Sequence, residues 1–355
     1  MAVSVQYFQL ALEHLGPIQG LWEYPWPAAF LLDVGFKLGA RTWPTYGVVW
    51  VGAMLALDAT FAWLLWRFGP RQGFYLWMLI LPALGPLMLA SFDLVPAVLT
   101  GAALLALGAS RPGLAGAAAS LGAAIKLWPA AVLPALLLPG ERRARTSVLR
   151  GFLVTAAALI GLTLLAAGAL RLVSPLIWQE RRGLQIEAFA ALPLLWARAF
   201  DASAWTLRIA ESNSYEIQGP GVDLALRLAA AAMIAGVGAL AALYWRLYRA
   251  PASARAPQTA AALTALIVLV LVCTNKVFSP QYLVWLAPPL AMLGASLSRR
   301  DFWIFIAACA LTQVVYPFGY ARLVLGGVWP LIALTLRDAL VILLGARLAR
   351  ALWRG

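Results

Sequence analysis

Residues 222–246 read VDLALRLAAAAMIAGVGALAALYWR, with eighteen consecutive uncharged residues between Arg227 and Arg246. About 20 residues of helix cross the hydrocarbon core of a bilayer. No water is available there to satisfy backbone N–H and C=O groups, so an apolar run of this length must be helical. Arg246, Arg249 and Arg255 follow it, as expected where a chain leaves the membrane on the side that collects basic residues.

The rest of the chain resembles this stretch. Of 355 residues, 63% are hydrophobic and 12% charged, whereas a soluble domain is about half apolar and about a quarter charged. A mean hydropathy of +0.84 requires many apolar runs rather than one anchor. The strand alternation of an outer-membrane barrel is absent. Eleven spans are expected, at 27–42, 45–66, 74–90, 94–109, 114–138, 148–171, 222–246, 258–273, 281–297, 302–319 and 328–348. The first is short and carries Asp33 and Lys37, which suits a half-helix or an interfacial segment. The fold class is therefore all-α, a polytopic transmembrane bundle in one domain over residues 1–355. An N-terminal segment (1–26) and one sizeable loop (172–220) lie outside the membrane.

Net charge is +13. In a soluble protein this would suggest nucleic acid. Here the arginines sit in short loops between apolar runs, so the charge reads as orientation and no nucleic-acid partner is expected. Loops 139–150 and 246–257, the pair Arg299–Arg300 and the tail with Arg347, Arg350 and Arg354 fall on one side if one crossing separates successive connections. That side is assigned to the cytoplasm, which places 172–220, 274–280 and 320–327 outside. The same parity leaves Arg67, Arg71 and Arg111 outside, unless a helix breaks near Lys126–Pro129. Twenty-four of the 27 basic residues are Arg, which with abundant Ala suggests a GC-rich bacterial genome and hence a bacterial plasma membrane. Cys273 and Cys309 show neither metal-type spacing nor a disulfide framework. No signal peptide is evident. No Walker loop, dinucleotide fingerprint or nucleophile elbow appears, and neither a cofactor nor a metal is expected.

Charged and polar groups at membrane depth are costly and tend to face a cavity or a partner. Four segments carry them. In GAAIKLWPAAVLP, Lys126 stands three residues before Pro129, where proline removes a backbone donor and breaks the helix. Lys126 can meet an anion, or it can pair with a buried acid such as Asp58 or Asp93. In CTNKVFSPQYLVWLAPP, the residues Asn275, Lys276, Ser279, Gln281 and Tyr282 gather donors, a cation and a ring at one rim, a mixture suited to phosphate or sugar. A helix cap with an interfacial aromatic belt is the plainer account. In WQERRGLQIEAFAALP, Arg181 and Arg182 lie outside against the orientation rule, and guanidinium forks suit phosphate. Gln185 and Glu187 can bind hydroxyls, or Glu180 and Glu187 can pair with the arginines. In the N-terminal stretch, Glu13, His14 and Glu23-Tyr24-Pro25 stand among aromatic rings. A carboxylate there can act as a base and Tyr24 can stack on a sugar.

At these segments the sequence resembles the glycosyltransferase 87 family. RPGLAGAAASLGAAIKLWPAAVLP (111–134), FDLVPA (92–97), RGLQIE (182–187) and NKVFSPQYLVWL (275–286) carry the resemblance, which spans nearly the whole chain. The family groups polytopic GT-C-type enzymes related to the mycobacterial mannosyltransferases of phosphatidylinositol-mannoside synthesis. It implies inverting transfer of one sugar, mannose by analogy, from a polyprenyl-phosphate sugar to a lipid or glycan acceptor on the external face. Lys126, Arg181, Arg182 and Lys276 become candidates to meet the donor phosphate. Tyr24, Gln185, Glu187, Asn275, Ser279, Gln281 and Tyr282 become candidates to hold substrate, and membrane lipid surrounds the whole. One departure stands out. Tyr7, Gly16 and Glu23-Tyr24-Pro25 correspond to the family's first external loop, but the Asp expected near Val3 or Ser4, and the helix before it, do not appear. Glu23 and Glu13 are the carboxylates left as candidate bases. The alternative is a catalytically inactive lipid-linked glycan binder or flippase of the same architecture. An ion-coupled transporter would need acid pairs near the midplane and inverted repeats. Asp58 and Asp93 lend that reading little support, and no repeat is seen.

Overall fold

A computed structural model of the protein describes residues 21–40, 42–211, 213–251 and 255–354. The main helices in chain order are α1 (Trp26–Lys37), α2 (Trp43–Phe68), α3 (Arg71–Leu84), α4 (Leu94–Gly108), α5 (Pro112–Ile125), α6 (Arg142–Ala167), α7 (Leu170–Arg181), α8 (Leu192–Phe200), α9 (Val222–Arg249), α10 (Pro257–Thr274), α11 (Ala287–Leu293), α12 (Arg299–Gln313) and α13 (Val328–Arg354). Among the described residues the only sheet is a two-stranded antiparallel hairpin, β1 (Thr206–Ile209) with β2 (Tyr215–Gln218), Thr206 facing Gln218. The expected class is observed: an almost wholly helical, multi-pass membrane bundle.

Among the described residues six helices are long and apolar enough to cross a membrane: α2, α6, α9, α10, α13, and α12 together with the π-turn that extends it to Phe318. Of the other expected spans, 27–42 and 94–109 form the short helices α1 and α4, and three are broken at proline. Residues 74–90 become α3, which contains Pro82 and ends at Gly85, followed by a one-turn helix Leu87–Ala90. Residues 114–138 become α5, a 3-10 turn Trp128–Val132 and a short helix Leu133–Leu137, with Pro129 and Pro134 at the starts of the last two. Residues 281–297 become a 3-10 run Pro280–Leu286, then α11 and a further 3-10 turn. Hydropathy counts apolar side chains, whereas helix continuity depends on backbone donors that proline lacks.

Packing sorts the helices by depth. From Ala260 to Leu269 every residue of α10 is buried, as befits a helix apolar on all sides at the centre of a bundle. On α6 only Val148 and Thr163 are buried, and Leu165 is 90% exposed, which is the surface of a helix facing lipid. The helices α5 and α6 meet through glycine. A Cβ on Gly116 would lie 2.0 Å from the Val148 carbonyl oxygen, and one on Gly151 would lie 2.0 Å from that of Gly113. Small residues let backbones approach this closely in membranes. The 182–220 segment docks on α13 and on the turn before it: Trp196 Nε1 donates to Thr335 Oγ1 at 3.0 Å, and Arg198 donates to the Val324 carbonyl at 3.1 Å.

The break at Lys126 corrects the parity of the N-terminal half. A Cβ on Gly294 would lie 2.6 Å from Pro70, so the turn bearing Arg67 and Arg71 sits at the same end as Arg299 and Arg300. Gly113 likewise lies against Ser147 and Gly151, which puts Arg111 beside the basic 139–150 loop. The chain leaves this basic end at Arg111, reaches Lys126, and returns through Trp128–Leu137 to Arg142. Expectation had set Arg67, Arg71 and Arg111 at the opposite end. With the break counted, they join the other basic loops.

Candidate functional site

Lys126 stands at the apex of that excursion, where the backbone turns extended (φ −152°, ψ 130°) and ends α5. Its Nζ lies 2.6 Å from Asp93 Oδ1. Asp93 is the partner of the two acids weighed from sequence, and it is buried. Trp285 Nε1 donates to the same oxygen at 2.8 Å, and Ser91 Oγ donates to Oδ2 at 2.6 Å. Three rings surround the ammonium, with centroids 5.2 Å (Phe92), 4.6 Å (Tyr282) and 4.9 Å (Trp285) from Nζ. Such faces attract a cation by their quadrupole. Tyr282 and Trp285 stack at 4.0 Å. The 3-10 run that interrupts the expected span is what presents both rings to Lys126. Ser279 and Gln281 are half-buried at the start of that run, and the Tyr282 N–H donates to the Ser279 carbonyl at 2.9 Å.

Tyr24 packs edge-on against Phe92, centroids 4.8 Å apart, which brings Glu23 to the neighbourhood of the Lys126–Asp93 pair. Glu23 is half-buried. Burial raises its carboxyl above the ordinary range, against a backbone hydrogen bond and the nearby charges of Arg171 and Arg182. Arg171 is itself 1% exposed. It donates to the Leu21 carbonyl at 3.0 Å and lies 4.9 Å from the Trp22 ring. Glu13, with Tyr7, His14 and Gly16, lies outside the described residues.

On the other side of Arg182 the segment between α7 and α9 forms a cavity of about 390 Å³, lined by Trp178, Arg181, Arg182, Arg208, Glu211 and Glu216 among others. Arg182 donates to Ser214 Oγ at 3.0 Å, and the Gly183 N–H donates to Glu216 Oε1 at 2.9 Å. Lys276 donates to the Glu180 carbonyl at 3.0 Å. Burial lowers its pKa, the Glu216 carboxylate opposes that, and Arg182 adds to it. Asn275 is spent on its own turn, its Oδ1 accepting from the Val277 N–H at 3.0 Å and from Gln179 Nε2 at 3.4 Å. The site therefore gathers Glu23, Tyr24, Lys126, Arg181, Arg182, Lys276 and Tyr282 at one end of the bundle.

Gln185 and Glu187, candidates for holding hydroxyls or pairing with arginine, lie inside the protein, both buried. Gln185 Oε1 accepts from the Glu187 and Phe278 N–H groups, each at 3.2 Å. Glu187 Oε2 lies 2.8 Å from Arg337 Nη1, and Arg337 also holds Asp338 at 2.8 Å. Glu187 thus pairs with an arginine of α13 and not with Arg181 or Arg182. Sequence reasoning missed three arginines here. Arg171 and Arg337 read as helix residues, and Arg208 required the hairpin. A buried charge within an apolar window was the available signal for Arg337. Among the described residues no group of three or more His, Cys, Asp or Glu is placed to hold a metal ion.

A helical bundle with cations, rings and a half-buried carboxylate gathered at one end is a construction that suits a membrane enzyme. The model of glycosyltransferase family 87 matches residues 22–280, and the chain belongs to that family. It is a membrane glycosyltransferase, requiring a sugar donor and an acceptor. No curated protein and no solved structure matches the chain.

Proposed function

We propose that the protein is an inverting, GT-C-type enzyme that moves a hexose, with mannose favoured by the family resemblance, from a polyprenyl-phosphate sugar to a lipid or glycan acceptor at the extracytoplasmic face of a bacterial plasma membrane. The observation that carries this reading is Glu23. It is half-buried, electrostatically coupled to Arg171 and Arg182, and adjacent to Tyr24, whose ring meets the wall of the Lys126 cage.

Glu23 takes the proton of the acceptor hydroxyl as its oxygen attacks the anomeric carbon. The bond to the donor phosphate breaks, and polyprenyl phosphate leaves with the electron pair. The arginines of the external cavity, Arg181, Arg182 and Arg208, together with Lys276, meet the growing negative charge of that phosphate. Guanidinium groups suit it by their paired donors, and preorganised charge of this kind is a large catalytic term. Lys126 is already neutralised by Asp93. We assign it to holding Tyr282 and Trp285 as a face for the sugar, with any direct contact to phosphate secondary. Gln185 and Glu187 act from behind, fixing the segment that follows Arg181 and Arg182 at the end of α7.

The test uses the purified full chain with labelled polyprenyl-phosphate mannose and a membrane lipid extract. Loss of a general base lowers rates by about 10²–10⁴-fold, so Glu23→Gln should lower kcat within that range. Arg182→Gln should raise the donor KM. Wild-type turnover in Glu23→Gln would remove Glu23 from the mechanism.

A further inference from the structure

A second cavity, of about 360 Å³, opens at the basic end of the bundle, far along the chain path from Glu23 and Lys126. Gln72, Tyr75, Leu290, Leu297, Arg299 and Trp303 are among its lining residues. It lies where α3 and α12 both begin, beside the end of α11. Its floor is sealed, because a Cβ on Gly73 would sit 2.1 Å from the Ala291 carbonyl oxygen.

We propose that this cavity binds one anionic glycerophospholipid, its phosphate at Arg299 and Gln72 and an acyl chain along Leu290 and Leu297. Charge carries the argument. Arg71, Arg299 and Arg300 are all exposed here. Asp301, the acid closest in sequence, is engaged by Arg347 and Ser298, so it does not neutralise Arg299. The first turn of α3 holds no acidic residue and its N-cap, Pro70, makes no side-chain cap. Its N–H groups therefore add positive potential at the same mouth. Apolar surface makes up the remainder of the lining, which a free phosphate would leave uncovered and an acyl chain would fill. Tyr75 and Trp303 are 56% and 52% exposed, in the manner of rings at the headgroup level. A neutral headgroup would leave Arg299 without an anion. Binding here is independent of the proposed transfer reaction, and its test needs no sugar.

The full chain, delipidated in detergent, is mixed with phosphatidylglycerol, phosphatidylcholine or glycerol phosphate, and retained adducts are counted by native mass spectrometry. One phosphatidylglycerol should persist at activation energies that strip phosphatidylcholine, and glycerol phosphate should not be retained. Arg299→Gln should reduce phosphatidylglycerol retention by about 10-fold, and Leu297→Trp, which fills the tail channel while leaving every cation, should reduce it similarly. Equal retention of the two lipids by wild type, a comparison that requires no variant to fold, would overturn the proposal. So would unchanged retention in both variants, or retention of glycerol phosphate alone.

Discussion

Lys126 Nζ and Asp93 Oδ1, thirty-three residues apart in the chain, lie 2.6 Å from each other where α5 breaks and α4 begins. Removing one member of a buried pair leaves the other charged without compensation, at a cost of about 3–5 kcal/mol. The Lys126 side chain keeps 19% exposure, so the low end applies. Lys126→Met and Asp93→Asn should each lower stability by roughly 3 kcal/mol. The double variant should recover much of the loss, read as thermal unfolding in detergent. Additive losses would show that the two groups are not coupled.

A second network predicts an asymmetry. Arg337 serves both Glu187 and Asp338. Arg337→Met would leave two buried carboxylates facing each other and should prevent stable folding. Glu187→Gln keeps the Arg337–Asp338 pair and should be tolerated. Similar expression and melting of the two variants would contradict this account.

The same carboxyl sets a pH dependence. Burial pushes Glu187 from its ordinary 4.5 up to about 7, against the pull of Arg337. Between those values the folded state holds more protons than the unfolded state, so stability falls as pH rises through that window. Wild type should melt higher at pH 5 than at pH 7.5 after subtraction of the Glu187→Gln profile, in which this contribution is absent.

Glu23 should govern the acid limb of transfer. A general base must be ionised, and burial raises this carboxyl. The rate should therefore fall with acidification at a pH above the ordinary carboxylate range. Glu23→Gln should show a low rate without that limb. An acid limb that persists in Glu23→Gln would point to another base.

The α5–α6 contact predicts steric intolerance. Gly116→Ala and Gly151→Ala would each drive a methyl into a backbone carbonyl, and overpacking of this kind costs about 1–3 kcal/mol. Both variants should melt lower. Gly161→Ala, on the same helix with nothing within 4 Å, should be neutral or slightly stabilising because alanine is the better helix former.

The sequence by itself determined the class of this protein and much of its chemistry. Apolar runs such as 222–246 have no stable structure in lipid except helix. The Lys–Pro segment announced its break because proline withholds a backbone donor, whereas the break that starts at Pro280 reads in the sequence as a continuous span. What those breaks bring together, only the tertiary structure decided. Whether Lys126 faces a ligand or an acid depended on where Asp93 lay. Which arginine Glu187 pairs with was decided by Arg337, 150 positions away. The end of the bundle to which Arg67, Arg71 and Arg111 belong depended on whether residues 114–138 cross or turn back. Local pattern reports what a segment must become in lipid. Pairing between distant charges and the return of a broken helix are set by packing, which no single window of sequence contains.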